Sequence, residues 1–290
     1  MPGITTLKPL ASLKFASHML KCPVEWQQPQ GNPAADHFSQ AIKPEEKVAI
    51  PTQIPPLLMP PNANKFHQEA ADEVGKGWKK FMEDMLDACE YAMLMWKTQA
   101  KFKDLMVMSV SAIGTPGCLD GPELESNIKN APSAASMSGN AGKLRDAVAK
   151  GVSKCFKDWQ GKVMVPGLPL YPAFAAFPGP MAPPMPAVPV PLIADPSPMM
   201  TQIMMPMMLQ NEMESALSGD PKDKDPTGQY KAAFDGIATV LSLAFTMWIP
   251  MQMVNLVMGK GPIPTFAPPF VPVGPVVGGD NLALPGHLIA

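Results

Sequence analysis

Histidine is a common metal ligand and proton carrier near neutral pH, and this chain of 290 residues has four. They are His18, His37, His67 and His287. None has a second His, Asp or Glu three or four residues further along, the spacing that would place two ligands on one helix face. We therefore predict no metal site, and histidines that are exposed or packed locally.

Four carboxylates follow one another closely along a predicted helix and could hold a cation or form an acid–base pair. They are Glu83, Asp84, Asp87 and Glu90. Lys79 and Lys80 lie at the spacing of ordinary ion-pair partners on the same helix. This arrangement favours a solvated, charged helix face over a catalytic site.

The four cysteines are widely separated, without a C-x-x-C pair or a histidine at ligand spacing. They are Cys22, Cys89, Cys118 and Cys155. The pattern argues against a zinc site and against a dense disulfide framework, and it favours buried or unreactive free thiols.

Motifs for nucleophilic, phosphate-binding, dinucleotide-binding or metalloprotease chemistry are missing from the sequence. The Gly-Lys-Gly runs at 75–77 and 259–261 lack the length and the Ser or Thr of a phosphate loop. We therefore predict that the chain is not an enzyme and has no cofactor. A composite active site between subunits is the remaining alternative, which one sequence does not reveal.

Composition constrains the elements that could position any site. The chain has 37 Pro, and 46% of its residues are apolar against 17% charged. Because Pro lacks an N–H and fixes φ, this content argues against a large parallel-sheet enzyme. The net charge of −2, without a long basic run, argues against nucleic acid as a partner.

Hydrophobic periodicity predicts helices over about 66–113, 143–163 and 227–258, and a short Met-rich helix over 199–218 interrupted at Pro206. We expect a mainly α fold, a small helical bundle with long proline-rich extended arms. The predicted units are an extended arm (1–65), a first helical unit (66–125), a linker with the second helix and an arm (126–198), the Met-rich and third helices (199–260), and a tail (261–290).

An internal repeat emerges when the chain is aligned on Trp96, Trp159 and Trp248. The residues 10, 7, 4 and 3 positions before each Trp are all apolar. A Gly-Pro or Pro-Gly motif also follows each helix. Any three amphipathic helices would share an apolar stripe, but the repeated Gly-Pro continuation favours true repetition. We predict that the three Trp residues anchor the helices.

Two proline-rich stretches, 165–198 and 261–290, alternate Pro with large apolar residues. We expect polyproline-like chain that cannot form its own sheet and whose apolar groups need an external surface. The predicted contacts of these arms with other subunits are Tyr171, Phe174, Phe177, Phe266 and Phe270.

The Trp-ended helices, followed by VPGLPLYPAFAAFPGP and GPIPTFAPPFVPVGPVVGGDN, resemble proline-rich helix-repeat structural proteins of phage tails and phage-like contractile injection particles. The resemblance covers about residues 78–285. It implies a non-enzymatic assembly part, present in several copies around a tube, cap, baseplate or portal.

We therefore expect a structural protein of a large particle that clamps neighbouring subunits through its arms. Its partners would be further copies of itself and other particle subunits. We predict synthesis in the cytoplasm without a classical signal peptide, and incorporation into the particle. The alternative is a membrane-inserting effector or pore that uses the uncharged stretch 236–258, which is long enough to cross a bilayer.

Overall fold

The computed structural model describes residues 3–18, 65–170, 179–223, 225, 227–264 and 275–289. The helices in these ranges are α1 (Ile4–Ser17), α2 (Lys65–Gln99), α3 (Leu124–Lys129), α4 (Gly139–Gln160), α5 (Thr201–Met204), α6 (Pro206–Ala216), α7 (Asp220–Asp223) and α8 (Gln229–Trp248). Helix dominates, which confirms a mainly α protein.

Short strands make up most of the remaining regular structure in the described ranges. They are β1 (Lys101–Phe102), β2 (Met106–Met108), β3 (Ser111–Gly114), β4 (Leu119–Asp120), β5 (Val165–Pro169), β6 (Met181–Pro186), β7 (Val190–Pro191), β8 (Met253–Val254), β9 (Met258–Pro262), β10 (Asp280–Leu282) and β11 (Leu288–Ile289). Short 3-10 helices cover Leu192–Ala194 and Ile249–Met251.

Two of the long helices end earlier than their sequence pattern predicts. The first was expected to reach residue 113, but it ends at Gln99 and the chain continues as β1 to β3. Residues 105–108 and 111–114 alternate between buried and exposed, the period-two pattern of a strand. The third helix ends at Trp248 instead of 258, because Pro250 cannot donate the next helical hydrogen bond.

The N-terminal region differs from the expected extended arm, since residues 4–17 form α1. Pro9 lies inside this helix and removes a backbone donor. The helix nonetheless packs against α2 and α8, where Ile4 and Ala11 are buried. Tertiary packing thus outweighs a poor helical sequence. Residues 19–64 lie outside the described part of the chain.

The Met-rich region follows its prediction closely, because α5 and α6 are separated at Met205 and α6 begins with Pro206. Proline is favoured at this first helical position, where its missing N–H has no helical partner to lose. The predicted linker and polar loop instead contain the short helices α3 and α7.

Glycines allow the closest helix contacts. A methyl group on Gly236 of α8 would lie 2.8 Å from the Ala11 carbonyl oxygen of α1. A methyl group on Gly151 of α4 would lie 2.7 Å from the Met213 backbone nitrogen of α6. Only a residue without Cβ permits such an approach, which brings α8 close to α1 and α4 close to α6.

The proline-rich stretches, expected not to form a sheet, contribute strands. β6 pairs with β9, and β9 pairs with β10. The register of β6 shifts between Ala182 and Met185, so Pro183 and Pro184 fall at the irregularity. Because proline cannot donate to a ladder, a bulge is where a strand tolerates it. Another three-stranded sheet has the order β2–β3–β5.

Two isolated bridges join these sheets into a closed ring. Val107, on β2, exchanges backbone hydrogen bonds of 2.9 and 3.0 Å with Gly279, next to β10. Leu170, after β5, bridges to Ala187, after β6. The strand order is therefore β2–β3–β5–β6–β9–β10 and back to β2. We call this ring the barrel.

The interior of the barrel is filled by small and branched side chains. Its buried residues include Val107, Ala112, Leu168, Leu170, Ala182 and Val276. A methyl group on Gly259 of β9 would lie 3.2 Å from side-chain atoms of both Val107 and Leu170, across the ring. The barrel is thus a packed core and not a channel.

Candidate interaction surface

The three Trp residues of the internal repeat meet at the junction between the helices and the barrel. Their ring centroids are 6.1 Å apart for Trp96 and Trp159, 6.2 Å for Trp96 and Trp248, and 6.5 Å for Trp159 and Trp248. Phe156 and Phe245 complete the cluster, each in contact with Trp159. The C-terminal ends of α2, α4 and α8 therefore converge here.

Each Trp is at most 2% exposed, so its contacts lie within this chain. The apolar positions that precede the three Trp residues are buried as well. They are Leu86, Cys89, Ala92, Met93, Ala149, Val152, Cys155, Phe156, Ala238, Leu241, Ala244 and Phe245. The repeated stripe predicted from the sequence is the face that each helix buries.

The Trp side chains differ in hydrogen bonding. The Trp96 Nε1–H donates to Gln160 Oε1 at 2.7 Å, while Gln160 Nε2 donates to the Leu119 carbonyl at 3.4 Å. The buried Trp159 Nε1 has no hydrogen-bond partner among the described residues. The cluster thus contains one satisfied indole N–H and one unsatisfied one.

The five aromatic residues predicted to contact partners fall outside the described part of the chain. They are Tyr171, Phe174, Phe177, Phe266 and Phe270. The segments that carry them, 171–178 and 265–274, contain no charged residue.

The described residues that flank these segments lie at one end of the barrel. The Leu170 N–H donates to the Val110 carbonyl at 2.7 Å, next to the turn between β2 and β3. The Ile263 N–H donates to the Pro180 carbonyl at 2.9 Å. The Ser109 N–H donates to the Val276 carbonyl at 2.8 Å. The described residues that precede and follow each uncharged segment therefore lie at this end of the barrel.

The same part of the barrel exposes large apolar side chains. We define the barrel face as Met106, Met108, Val110, Ile113 and Val277, each between 39% and 48% exposed. Met106 and Ile113 are directly opposite each other on β2 and β3. The hydrogen bond between the backbones of Ser109 and Val276 places Val277 beside Met108. Sequence periodicity missed this face because its strands are three or four residues long.

Charged residues border the barrel face without entering it. Residues 105–114 and 275–279 contain none. Lys260 and Asp280 are paired across β9 and β10, with Nζ 3.8 Å from Oδ1. An apolar centre with a polar border is the usual composition of a protein interface.

A second apolar surface follows α8, where Leu243, Met247 and Met251 are spaced by four residues and are 39%, 53% and 60% exposed. The segment Gln229–Met251 is long and apolar enough to cross a membrane by length and composition. Within its most apolar window, however, 72% of the residues are buried inside the protein. Most of this segment therefore packs as a core helix.

A polar cleft lies between α4 and the loop before α3, with a volume of about 230 Å³. Asp120, Glu123, Ser153, Lys157 and Gln160 line it. Lys157 Nζ lies 2.6 Å from Glu123 Oε1, and this hydrogen bond lowers the pKa of Glu123. The charges of the cleft are thus partnered within the protein.

The carboxylates of α2 behave as a charged face, as predicted. Glu83 pairs with Lys79 at 3.9 Å, and Asp84 pairs with Lys80 at 3.0 Å. The next two carboxylates have another role, since they hold α1. Lys8 Nζ lies 2.6 Å from Asp87, and the Thr5 hydroxyl donates to Glu90 at 3.2 Å.

The histidines also serve local packing. His18 Nε2 lies 2.8 Å from Asp235, which ties the end of α1 to α8. His287 is 1% exposed, and its Nδ1 accepts a 2.9 Å hydrogen bond from the Phe102 N–H. Burial lowers the pKa of His287 to about 4, so this ring is neutral near pH 7. The side chains of His37 and His67 lie outside the described residues.

Buried thiols and one buried carboxyl complete the set of titratable groups with shifted pKa. Cys89, Cys118 and Cys155 are buried, as predicted, and desolvation raises the pKa of each thiol to between about 11 and about 12. Asp195 is 3% exposed, and burial raises its pKa to about 7. Protonated thiols are weak nucleophiles, so these cysteines are structural. Cys22 lies outside the described residues.

In the described ranges, no group of three or more His, Cys, Asp or Glu side chains is placed to hold a metal ion. Comparison of the chain with family models, curated proteins and solved structures gives no match. The barrel face is the feature of the described residues that most resembles a functional surface.

Proposed function

We propose that this protein is a non-enzymatic structural subunit of a multi-subunit particle, such as a phage-like tail, cap, baseplate or portal region. It acts by binding neighbouring subunits through uncharged apolar surface. The barrel face is the observation that carries this proposal, because five large apolar side chains lie exposed together there. Contiguous apolar patches of this kind mark interaction sites.

The architecture supports the role of a rigid subunit that presents the barrel face to its neighbours. In the helical half, which we take as the predicted small bundle, the buried cluster of Trp96, Trp159 and Trp248 holds the C-terminal ends of α2, α4 and α8 together. The described residues that flank the uncharged segments 171–178 and 265–274 lie next to the barrel face. We propose that these segments are the arms that extend the contact onto neighbouring subunits.

Sedimentation of the protein from cells that naturally make it tests the proposal. We expect the full chain to sediment with a large particle in a density gradient. Replacing both Met106 and Ile113 with Asp should move it to slowly sedimenting fractions without changing its far-UV circular dichroism. The control is Met207→Asp, because Met207 is 59% exposed on α6, away from the barrel.

Two results would contradict the proposal. One is a wild-type chain that sediments slowly under all conditions of growth and expression. The other is a variant that stays on the particle although it combines the two Asp substitutions with Ser in place of the aromatic residues at 171, 174, 177, 266 and 270.

The second candidate function is a membrane-inserting effector or pore. The exposed stripe of Leu243, Met247 and Met251, which lies within the uncharged stretch 236–258, favours it. Flotation of the purified chain with liposomes at high salt tests this function. Binding that is lost in Met247→Lys and kept in Met207→Lys would support it, and recovery only at the bottom of the gradient would exclude it.

A further inference from the structure

The last described residues of the chain, 283–289, lie against β1 and β8, and we call them the strap. Their strand β11 pairs with β8 in the sheet β11–β8–β7, and it is not one of the six strands that form the barrel. The Gly286 N–H donates to the Ala100 carbonyl at 3.2 Å, and the His287 carbonyl accepts from the Asn255 N–H at 2.8 Å. The strap can therefore detach without breaking a strand pairing of the barrel.

The side chain of His287 fixes the strap to β1. It is 1% exposed, its Nδ1 accepts a 2.9 Å hydrogen bond from the Phe102 N–H, and its ring stacks on the ring of Phe102 with centroids 6.3 Å apart. A ring nitrogen that accepts a hydrogen bond carries no proton, so the neutral ring has its proton on Nε2. This Nε2 has no hydrogen-bond partner among the described residues. The closed strap therefore holds the ring in one protonation state.

A second proton on this ring disrupts the attachment. It places an N–H at Nδ1 opposite the N–H of Phe102, so that two donors face each other and the hydrogen bond is lost. It also places a positive charge on a buried ring, and a buried charge without a partner is strongly unfavourable. When the strap is open, water hydrates the charged ring. Protonation therefore favours the open strap.

Nearby charges do not offset this effect. The strap and β8 contain no Asp, Glu, Lys or Arg. The charged residues in the last turn of α2, on and just after β1, and on its partner strand β4 are Lys97, Lys101, Lys103, Asp104 and Asp120. Lys103 and Asp120 pair with each other at 3.3 Å, and Asp104 is exposed to solvent. Burial is the cause that lowers the pKa of His287 from 6.5 to about 4.

We propose that His287 is an acid-sensitive latch, whose protonation releases the strap from β1 and β8 while the barrel stays folded. The closed strap binds the second proton more weakly than the open strap, so closure is favoured above pH 6.5 and weakens as the pH falls to 4. Over this interval the equilibrium should shift toward the open strap on the order of 100-fold. The latch is independent of which partner the barrel face binds.

Hydrogen exchange of the purified full chain at pH 7 and pH 4, resolved to single amides and corrected for intrinsic exchange rates, tests the latch. The amides of Phe102, Asn255 and Gly286 lose their acceptors when the strap opens. We expect their protection to fall on the order of 100-fold at pH 4. The amides of Val107 and Gly279, which bond to each other's carbonyls within the barrel, should keep their protection.

Two histidine variants provide the matched comparison. His287→Asn does not titrate, and its side-chain oxygen can accept the Phe102 N–H in place of Nδ1, so its strap should stay closed at pH 4. His18→Asn removes a histidine that pairs with Asp235 at the end of α1, away from the strap. This second variant should respond to pH like the wild type.

Three results would overturn the inference. The first is equal protection of the Phe102, Asn255 and Gly286 amides at both pH values in the wild type. The second is an equal loss of protection at Val107 and Gly279, because the barrel would then open together with the strap. The third is a His287→Asn variant that responds to acid like the wild type.

Nitrogen-15 NMR of the histidine rings in the wild type gives the same decision if His287→Asn does not fold. We expect the His287 ring to gain its second proton over the pH range in which the Phe102 amide loses protection. Loss of this protection while the His287 ring stays neutral would show that another group releases the strap, and the latch would be wrong.

Discussion

At the scale of single residues, the Trp cluster shows that similar side chains can contribute differently. Trp96 and Trp159 are both buried, but only the first has a partner for its indole N–H within the described residues. A buried donor without an acceptor costs roughly 1–3 kcal/mol of desolvation free energy. The indole N–H of Trp96 therefore stabilises the fold, whereas the indole N–H of Trp159 does not.

We predict that Trp96→Phe lowers the free energy of unfolding more than Trp159→Phe does, by about 1–2 kcal/mol. Both substitutions remove the same atoms, but the first also leaves Gln160 Oε1 without its donor. The second removes the unsatisfied N–H. Urea denaturation followed by circular dichroism measures the difference, and equal losses for the two variants would contradict the prediction.

Two buried titratable groups make opposite contributions to the pH dependence of stability. Burial raises the pKa of Asp195 from 3.8 to about 7 and lowers the pKa of His287 from 6.5 to about 4. Between about pH 4 and 7, folding takes up a proton at Asp195, so this residue makes stability fall as pH rises. Between pH 6.5 and 4, folding releases a proton from His287, so this residue makes stability fall as pH decreases.

The two effects oppose each other, so we predict a nearly flat stability profile for the wild type between about pH 5 and 6.5. Asp195→Asn should remove the contribution of Asp195 and leave that of His287. The free energy of unfolding of this variant should therefore increase with pH over this interval. At pH 8 the variant should exceed the wild type by on the order of 2–4 kcal/mol. Urea denaturation across a pH series tests this, and parallel profiles for the two proteins would show that Asp195 does not titrate as described.

At the scale of elements, the helices can be predicted from the sequence more readily than the strands. The stripe before each Trp repeats at helical spacing, so it predicts both the helices and the side that they bury. The strands of the barrel are short, and their pairing joins residues as distant as Val107 and Gly279. Local periodicity reports which face of a segment is apolar, but it carries no information about a partner 172 positions away.

The proline-rich stretches were harder to interpret for a different reason. Proline prevents regular pairing, so an alternation of Pro with large apolar residues favours extended chain without a sheet. In β6 the adjacent Pro183 and Pro184 coincide with a shift of register, so they fall between the paired residues Ala182 and Met185, both of which keep a backbone N–H. The positions of the prolines therefore indicate better than their number whether a segment can form a strand. Helix α1 was missed for the same reason, because Pro9 lies in a helix that packing stabilises.

Close helix approach makes a prediction at this scale. Gly236→Ala should lower the free energy of unfolding by about 1–3 kcal/mol, because the new methyl group would lie 2.8 Å from the Ala11 carbonyl oxygen and 3.1 Å from Met82 Sδ. The backbone of α1 must move to relieve the first contact. Thermal denaturation followed by circular dichroism measures the loss.

Gly77→Ala is the matched control within α2. Nothing lies within 4 Å of the position that its methyl group would take, and the residue is exposed. Since Ala has the higher helix propensity, this variant should be unchanged or more stable by up to about 1 kcal/mol. A stabilised Gly236→Ala protein would show that α1 does not pack against α8 as the structure describes.

At the scale of the whole molecule, the chain order links the helical half to the barrel. The long helices α2, α4 and α8 all end at the Trp cluster, and each is followed within six residues by a strand. The C-terminal residues return to this junction, where the Gly286 N–H donates to the Ala100 carbonyl at 3.2 Å. Asn281 accepts a hydrogen bond from the Leu105 N–H and donates one to the Phe102 carbonyl. Removing either half would leave buried surface of the other exposed.

This connectivity predicts that the helices and the barrel unfold together. The buried thiols report on both halves, since Cys89 and Cys155 lie in α2 and α4, whereas Cys118 lies beside Gly114 of β3. Pulsed alkylation over a urea series, resolved by mass spectrometry, should give one midpoint for all three thiols. That midpoint should coincide with the loss of the far-UV helical signal, because a two-state protein exposes its parts at once. Labelling of Cys118 at a clearly lower urea concentration than Cys89 would instead show that the barrel opens by itself. The exposed face that we assign to binding would then belong to a separately unfolding part, and a rigid assembly subunit would be the wrong description.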